Sequence, residues 1–135
     1  MRIVLDTNIL VSSLSARSKA HWIIEAIREE RFAIVISHEI LLEYEEILTL
    51  KYGVSAAGAF ISFLQIAENV EAIETYFFWN LLNDPDDNKF VDAAIAAGAD
   101  FLVTEDRDFK RLRNVDFPEV TVLNLSEFEN LLNNT

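Results

Sequence analysis

At 135 residues, 51% of them apolar and 25% charged, the chain is long enough to bury one sizeable core and too apolar to be disordered. It has no cysteine, which excludes disulfides and thiolate-bound metals and fits a reducing cytoplasm. A net charge of −12, from 23 acidic and 11 basic residues, argues against a passive nucleic-acid binder but not against an enzyme that meets phosphate through a divalent cation. The N-terminus lacks the pattern of a signal peptide, and no apolar run is long enough to span a membrane.

In chain order, residues 2–5 read as a short buried strand whose C-terminal end presents Asp6. In open α/β sheets that edge is where ligands and chemistry collect. A polar stretch at 12–19 leads to a helical pattern with Trp22, Ile23, Ala26 and Ile27 on one face. Residues 33–36 form a second apolar run, bounded by Ser37 as a helix N-cap, with Glu39 suited to the first turn. The apolar positions 40, 41, 44, 47 and 48 then lie on one stripe. Gly53 punctuates, and Ser55 is expected to cap a helix carrying Phe60, Phe63, Leu64 and Ala67. Part of 70–76 reads as a strand. The aromatics Tyr76, Phe77, Phe78 and Trp79 follow; two are expected in the core and the others at a subunit contact.

Asn83, Asp84, Pro85 and Asp86 signal a turn before a helix at 87–97 that ends near Gly98. Strands are expected at 100–104 and 120–123, and Ser126 with Glu129 has capping-box spacing for a last helix. Apolar runs alternating with helical patterns indicate a single α/β domain over 1–135, a parallel sheet with helices on both faces.

The chemistry-bearing residues are carboxylates. Asp6 and Asp106 both follow strand ends, and Asp108 lies two residues on. Asp87 points toward the apolar stripe of its helix (Phe90, Val91, Ala94, Ile95), whereas Asp86 and Asp92 project away from it. Glu43 and Glu45 flank the stripe of the earlier helix, and helical geometry does not choose between them. Taken singly, each acidic residue is more often a loop former, a cap or a surface group. Together they make a hard-oxygen set suited to Mg²⁺ or Mn²⁺. The two histidines, His21 and His38, read as ordinary helix residues.

Four stretches resemble the PIN-domain family of metal-dependent ribonucleases, and within it the bacterial and archaeal members described as toxins of toxin–antitoxin pairs. They are Asp6-Thr7-Asn8-Ile9; Ser37 with Glu43; Asp84-Pro85-Asp86-Asp87-Asn88-Lys89-Phe90; and residues 98–109, which include Thr104-Glu105-Asp106-Arg107-Asp108. The resemblance implies a Rossmann-like three-layer α/β/α sandwich around a central parallel sheet. It selects Glu43 over Glu45 and Asp87 over Asp86. Asp6, Glu43, Asp87 and Asp106 would form the catalytic, metal-holding quartet, with Asp108 a fifth ligand and Asn8 and Thr104 supporting. The implied reaction is endonucleolytic hydrolysis of RNA by a metal-activated water, leaving 5′-phosphate and 3′-hydroxyl ends. An antitoxin partner and a homodimer are implied as well. Arg107, Lys110, Arg111 and Arg113, and Lys89 beside Asp87, read either as contacts to the RNA backbone or as a solvated face. Many family members carry Gly where this chain has Glu105, an added carboxylate that would repel substrate.

Two other readings compete. The chain could serve as a stand-alone RNA-processing nuclease, or as a module whose main role is to bind an antitoxin peptide. A nucleotide-binding or phosphoryl-transfer function is disfavoured, because the three glycines (53, 58 and 98) supply no glycine-rich phosphate loop.

Overall fold

The computed structural model describes Met1–Thr135. The chain runs β1 (Arg2–Leu5), α1 (Thr7–Ser13), α2 (His21–Arg28), β2 (Ala33–Ser37), α3 (His38–Tyr52), α4 (Val54–Ile66), β3 (Val70–Ile73), α5 (Asn88–Ala97) and β4 (Phe101–Val103). A 3₁₀ segment (Arg107–Asn114), β5 (Val122–Leu123) and α6 (Leu125–Asn133) complete it. The five strands form one sheet in the order β3-β2-β1-β4-β5, and every pairing is parallel. This is the α/β sandwich expected from the alternating pattern.

β1 lies at the centre because it is apolar on both faces: Ile3, Val4 and Leu5 are fully buried. From β1 the chain steps outward through β2 and β3, then returns to β4 on the other side. Right-handed crossovers therefore place α1–α4 on one face and α5 on the other. The aromatic packing agrees. Phe128 of α6 stacks on Trp22 of α2 with centroids 5.6 Å apart, while Phe90 of α5 meets Phe109 of the 3₁₀ segment at 6.4 Å. The reversal of strand order between β1 and β4 is a topological switch point, where the connections diverge and leave a crevice.

Several local expectations are corrected. Thr7–Ser13 forms a helix that the sequence did not announce; two turns are too short to display a repeat, and Ile9 and Val11 are weak helix formers. α4 begins at Val54, with Gly53 at φ 93° making the corner, so Ser55 lies inside the helix and caps nothing. The capping box of α6 is Asn124 with Glu127 rather than Ser126 with Glu129. β5 begins at Val122, two residues later than the 120–123 strand implied, and ends at Leu123 as expected. Tyr76, Phe77 and Phe78 are exposed and Trp79 is half-buried, so none of the four is in the core. They lie past the edge strand β3, where Trp79 packs against Phe77 and Phe117 rather than into the core.

Candidate metal centre

The register of β1 on β4 pairs Leu5 with Val103, so Asp6 and Thr104 leave the sheet side by side at the switch point. The Asp6 amide donates to the Val103 carbonyl at 3.0 Å. Thr104 is buried and donates its hydroxyl to Asp6 Oδ2 at 2.7 Å. Burial pushes the Asp6 carboxyl up from its ordinary value. The Thr104 hydrogen bond opposes that shift, and the charges of Asp106 and Glu43 reinforce it.

Glu43 arrives from the next strand. β2 ends at Ser37, whose hydroxyl accepts from the Ile40 amide at 3.2 Å and starts α3 at the same sheet edge. Tyr44, fully buried, donates to the Leu5 carbonyl at 2.6 Å and ties α3 to the end of β1. Glu43 then has both oxygens engaged. Thr7 donates its hydroxyl to Oε2, and Lys89 Nζ lies 2.7 Å from Oε1.

Asp87 is the N-cap residue of α5, but its side chain makes no capping hydrogen bond. Its carboxyl is pushed up to about 6, first by burial and then by the charges of Asp84, Asp106, Asp6 and Asp108. Carboxylate oxygens of Asp87, Asp106 and Asp108 all lie within 4.8 Å of one another. Asp106 is held by its own loop: its amide donates to Thr104 Oγ1 at 3.0 Å, and its Oδ1 accepts from the Asp108 amide at 2.9 Å.

The structure thus brings Asp87, Asp106 and Asp108 into contact range; Asp6 and Glu43 lie outside that group, Asp6 coupled by charge to Asp87 and Asp106, and Glu43 to Asp6. An all-oxygen set of like charges, with Asp87 raised by burial and then by its neighbours' charges, fits a hard divalent cation and offers nothing to a soft one. The other sequence candidates divide. Asn8 is exposed and makes no hydrogen bond to the centre, so the support of Glu43 falls to its neighbour Thr7. Lys89 turns inward to Glu43. Arg107 and Arg111 line a cleft with Asp84, Asp87 and Asp108, and Arg111 also donates to Asn83. Lys110 is exposed, and Arg113 lies 3.9 Å from Glu127. Glu105 accepts from the Leu125 amide at 2.8 Å, where the positive end of α6 offsets its charge.

Residues not singled out from sequence are Thr7, Tyr44 and Asp84. A hydroxyl directly after Asp6 was the available signal for Thr7. Asp92, expected to face outward, is buried and accepts from the Trp79 amide at 3.1 Å.

A family description, PIN domain, matches residues 2–108. The chain belongs to the PIN-domain family. No curated protein matches it. Among solved structures, it is similar to VapBC2 from Rickettsia felis bound to a DNA fragment from their promoter, with TM-score 0.64 and 20% identity over 92% of this chain and 98% of that one. It is also similar to VapC20 of Mycobacterium tuberculosis, described as a sarcin–ricin loop cleaving toxin, with TM-score 0.60 and 15% identity over 80% and 92%. DNA-bound VapBC from Salmonella typhimurium gives TM-score 0.58 and 14% identity over 92% and 98%. At these identities the likeness is one of PIN fold. No helix of the chain is long and apolar enough to cross a membrane.

Proposed function

We propose that this PIN domain, a single unit over 1–135, is an Mg²⁺- or Mn²⁺-dependent endoribonuclease and the toxin of a toxin–antitoxin pair. The observation that carries the reading is the convergence of Asp87, Asp106 and Asp108 within 4.8 Å, with Asp6 buried at the sheet's switch point and its charge acting on Asp87. Asp6, Glu43, Asp87 and Asp106 form the acidic quartet, and Asp108 adds a fifth carboxylate. When bound, the divalent ion supplies a water of lowered pKa and offsets charge on the phosphoryl oxygens. The chain's own residues do the positioning. Thr104 holds the Asp6 carboxylate in one orientation, and Thr7 and Lys89 hold Glu43. Arg107, Lys110 and Arg111, next to Asp106, engage the RNA phosphates and set the strand across the carboxylates.

The toxin reading is supported by the fold shared with the VapC and VapBC proteins. A chain of net charge −12 suits a basic antitoxin segment. The exposed Tyr76, Phe77 and Phe78 suit a homodimer contact. The lack of cysteine fits action in the cytoplasm.

The test is cleavage of a mixed pool of single-stranded RNA with Mg²⁺, Mn²⁺ or EDTA, comparing wild type with Asp6→Asn. Wild type should cleave only with metal, and Asp6→Asn should be inactive with an unchanged circular dichroism spectrum. Undiminished cleavage by the variant would remove Asp6 from the centre.

A further inference from the structure

Glu43 differs from the other acidic residues of the centre in carrying a cation of its own. The Lys89 ammonium sits 2.7 Å from Oε1, and the two side chains are only 20% and 22% exposed. With the Thr7 hydroxyl on Oε2, each oxygen already carries a donor. None of the five ion pairs of the chain includes Asp6, Asp87, Asp106 or Asp108. The position of Lys89 also runs against local preference. It lies in the first turn of α5, where the helix dipole disfavours a positive side chain. From there it reaches across to α3, and Glu43 offsets the cost.

We infer that Lys89 is the resident cation of the Glu43 side of the centre and takes the place that a second divalent ion would occupy. The centre then holds a single ion, on the side of Asp87, Asp106 and Asp108. In two-metal sites the ions lie roughly 3.5–4 Å apart and share carboxylate oxygens. An ion shared by Glu43 would have to sit beside the Lys89 ammonium, whose like charge repels it. A Lys ammonium is a compact point charge with three donors, so it can neutralise a carboxylate without supplying a Lewis acid or an activated water. Lys89 is therefore a positioning residue, acting through Glu43, rather than a contact to RNA.

The inference rests on the reading of this cluster as a metal centre, and counting ions separates the two. The full-length chain is titrated with Mn²⁺ by calorimetry, and bound ions are counted by electron paramagnetic resonance. Wild type, Lys89→Met, Lys89→Arg, Glu43→Gln and the Lys89→Met/Glu43→Gln double variant are compared. The expected counts are one ion per chain for wild type, Lys89→Arg and the double variant, and two for Lys89→Met, whose Glu43 is released. Thermal unfolding in EDTA gives a metal-free check: Lys89→Met should destabilise the wild-type background and have little effect in the Glu43→Gln background.

Two ions in wild type overturn the inference while leaving the metal centre standing, and this arm needs no variant to fold. One ion in a folded Lys89→Met overturns it equally. A second ion that persists in the double variant assigns the effect to general charge rather than to Glu43, and also overturns it. Absence of Mn²⁺ binding in every form removes the metal centre and the inference together.

Discussion

Asp6 and Glu43 meet the centre from the sheet side with side-chain partners already in place, whereas Asp87, Asp106 and Asp108 meet it from the solvent side with no side-chain partner but one another. On the sheet side, Thr104 donates to Asp6, and Thr7 and Lys89 donate to Glu43. On the solvent side, no ion pair is made, and the Asp87 carboxyl rises to about 6. The difference separates two tasks. Buried, hydrogen-bonded carboxylates fix a geometry, because leaving them unpaired is costly. Crowded carboxylates, Asp87 half-buried and Asp106 and Asp108 exposed, hold an excess of negative charge that an arriving cation relieves, and solvent access lets it arrive.

The largest effect should come from breaking the solvent side. Asp106→Asn keeps an oxygen that can accept from the Asp108 amide, so the loop should persist. The charge is lost, however. Metal-dependent RNA cleavage should fall by at least about 10²-fold, the scale set when one group stabilising developing charge is removed. Cleavage at the wild-type rate, with the fold verified by circular dichroism, would show that this side does not hold the ion.

Thr104→Val attacks the sheet side without touching a carboxylate. Outer partners of metal ligands are each worth about 10–100-fold in metal affinity, and a loss in that range is expected in Mn²⁺ titrations. The sign with pH follows from what Thr104 does now. Its hydrogen bond holds the Asp6 carboxyl below where burial alone would put it. Without it, Asp6 takes up its proton at higher pH and competes better against metal. The affinity loss should therefore be greater at pH 6 than at pH 8, and a pH-independent loss would mean that Thr104 acts by packing alone.

Tyr44→Phe tests whether position can be disturbed apart from ligation. It leaves the Leu5 carbonyl without its donor in the core. That should cost about 1–3 kcal/mol in denaturant unfolding. Mn²⁺ affinity of the folded protein should change less than with Thr104→Val. A larger loss of affinity than of stability would make the α3–β1 tie part of the centre itself.

How much of this was legible in the sequence follows the range of the interactions. β1, β2 and β4 were readable because a fully buried parallel strand is a continuous apolar run. Asp6 and Asp106 were readable as the polar residues that end two of them. Asp87 was readable from the stripe of its own helix. Asp92 was not, because the segment covering it, with the Trp79 amide as donor, lies outside any helical repeat. Lys89 could be placed beside Asp87, but its partner is 46 residues away on another helix, and local pattern carries no trace of that pairing. The choice of Glu43 over Glu45 came from family resemblance. In the structure Glu43 is half-buried and paired while Glu45 is exposed.

The smallest expected effect sharpens the contrast most, because it should change sign. Asp87 has a folded-state pKa of about 6 against an ordinary value of 3.8. A raised carboxyl destabilises the folded state once it is ionised. The penalty is absent below about pH 4, grows as pH rises through the interval, and is complete above about 6. In EDTA at pH 7.5, Asp87→Asn should therefore be more stable than wild type, by at most about 1 kcal/mol given solvent screening. No side-chain cap is lost in the exchange, since the Asp87 carboxylate makes none. At pH 4 the two proteins should unfold together. With saturating Mg²⁺ the order should reverse, because wild type gains the binding free energy that the variant has forfeited. Thermal unfolding at two pH values, with and without Mg²⁺, reads all of these. A variant no more stable than wild type in EDTA would mean that burial and neighbouring charge do not penalise the Asp87 carboxylate.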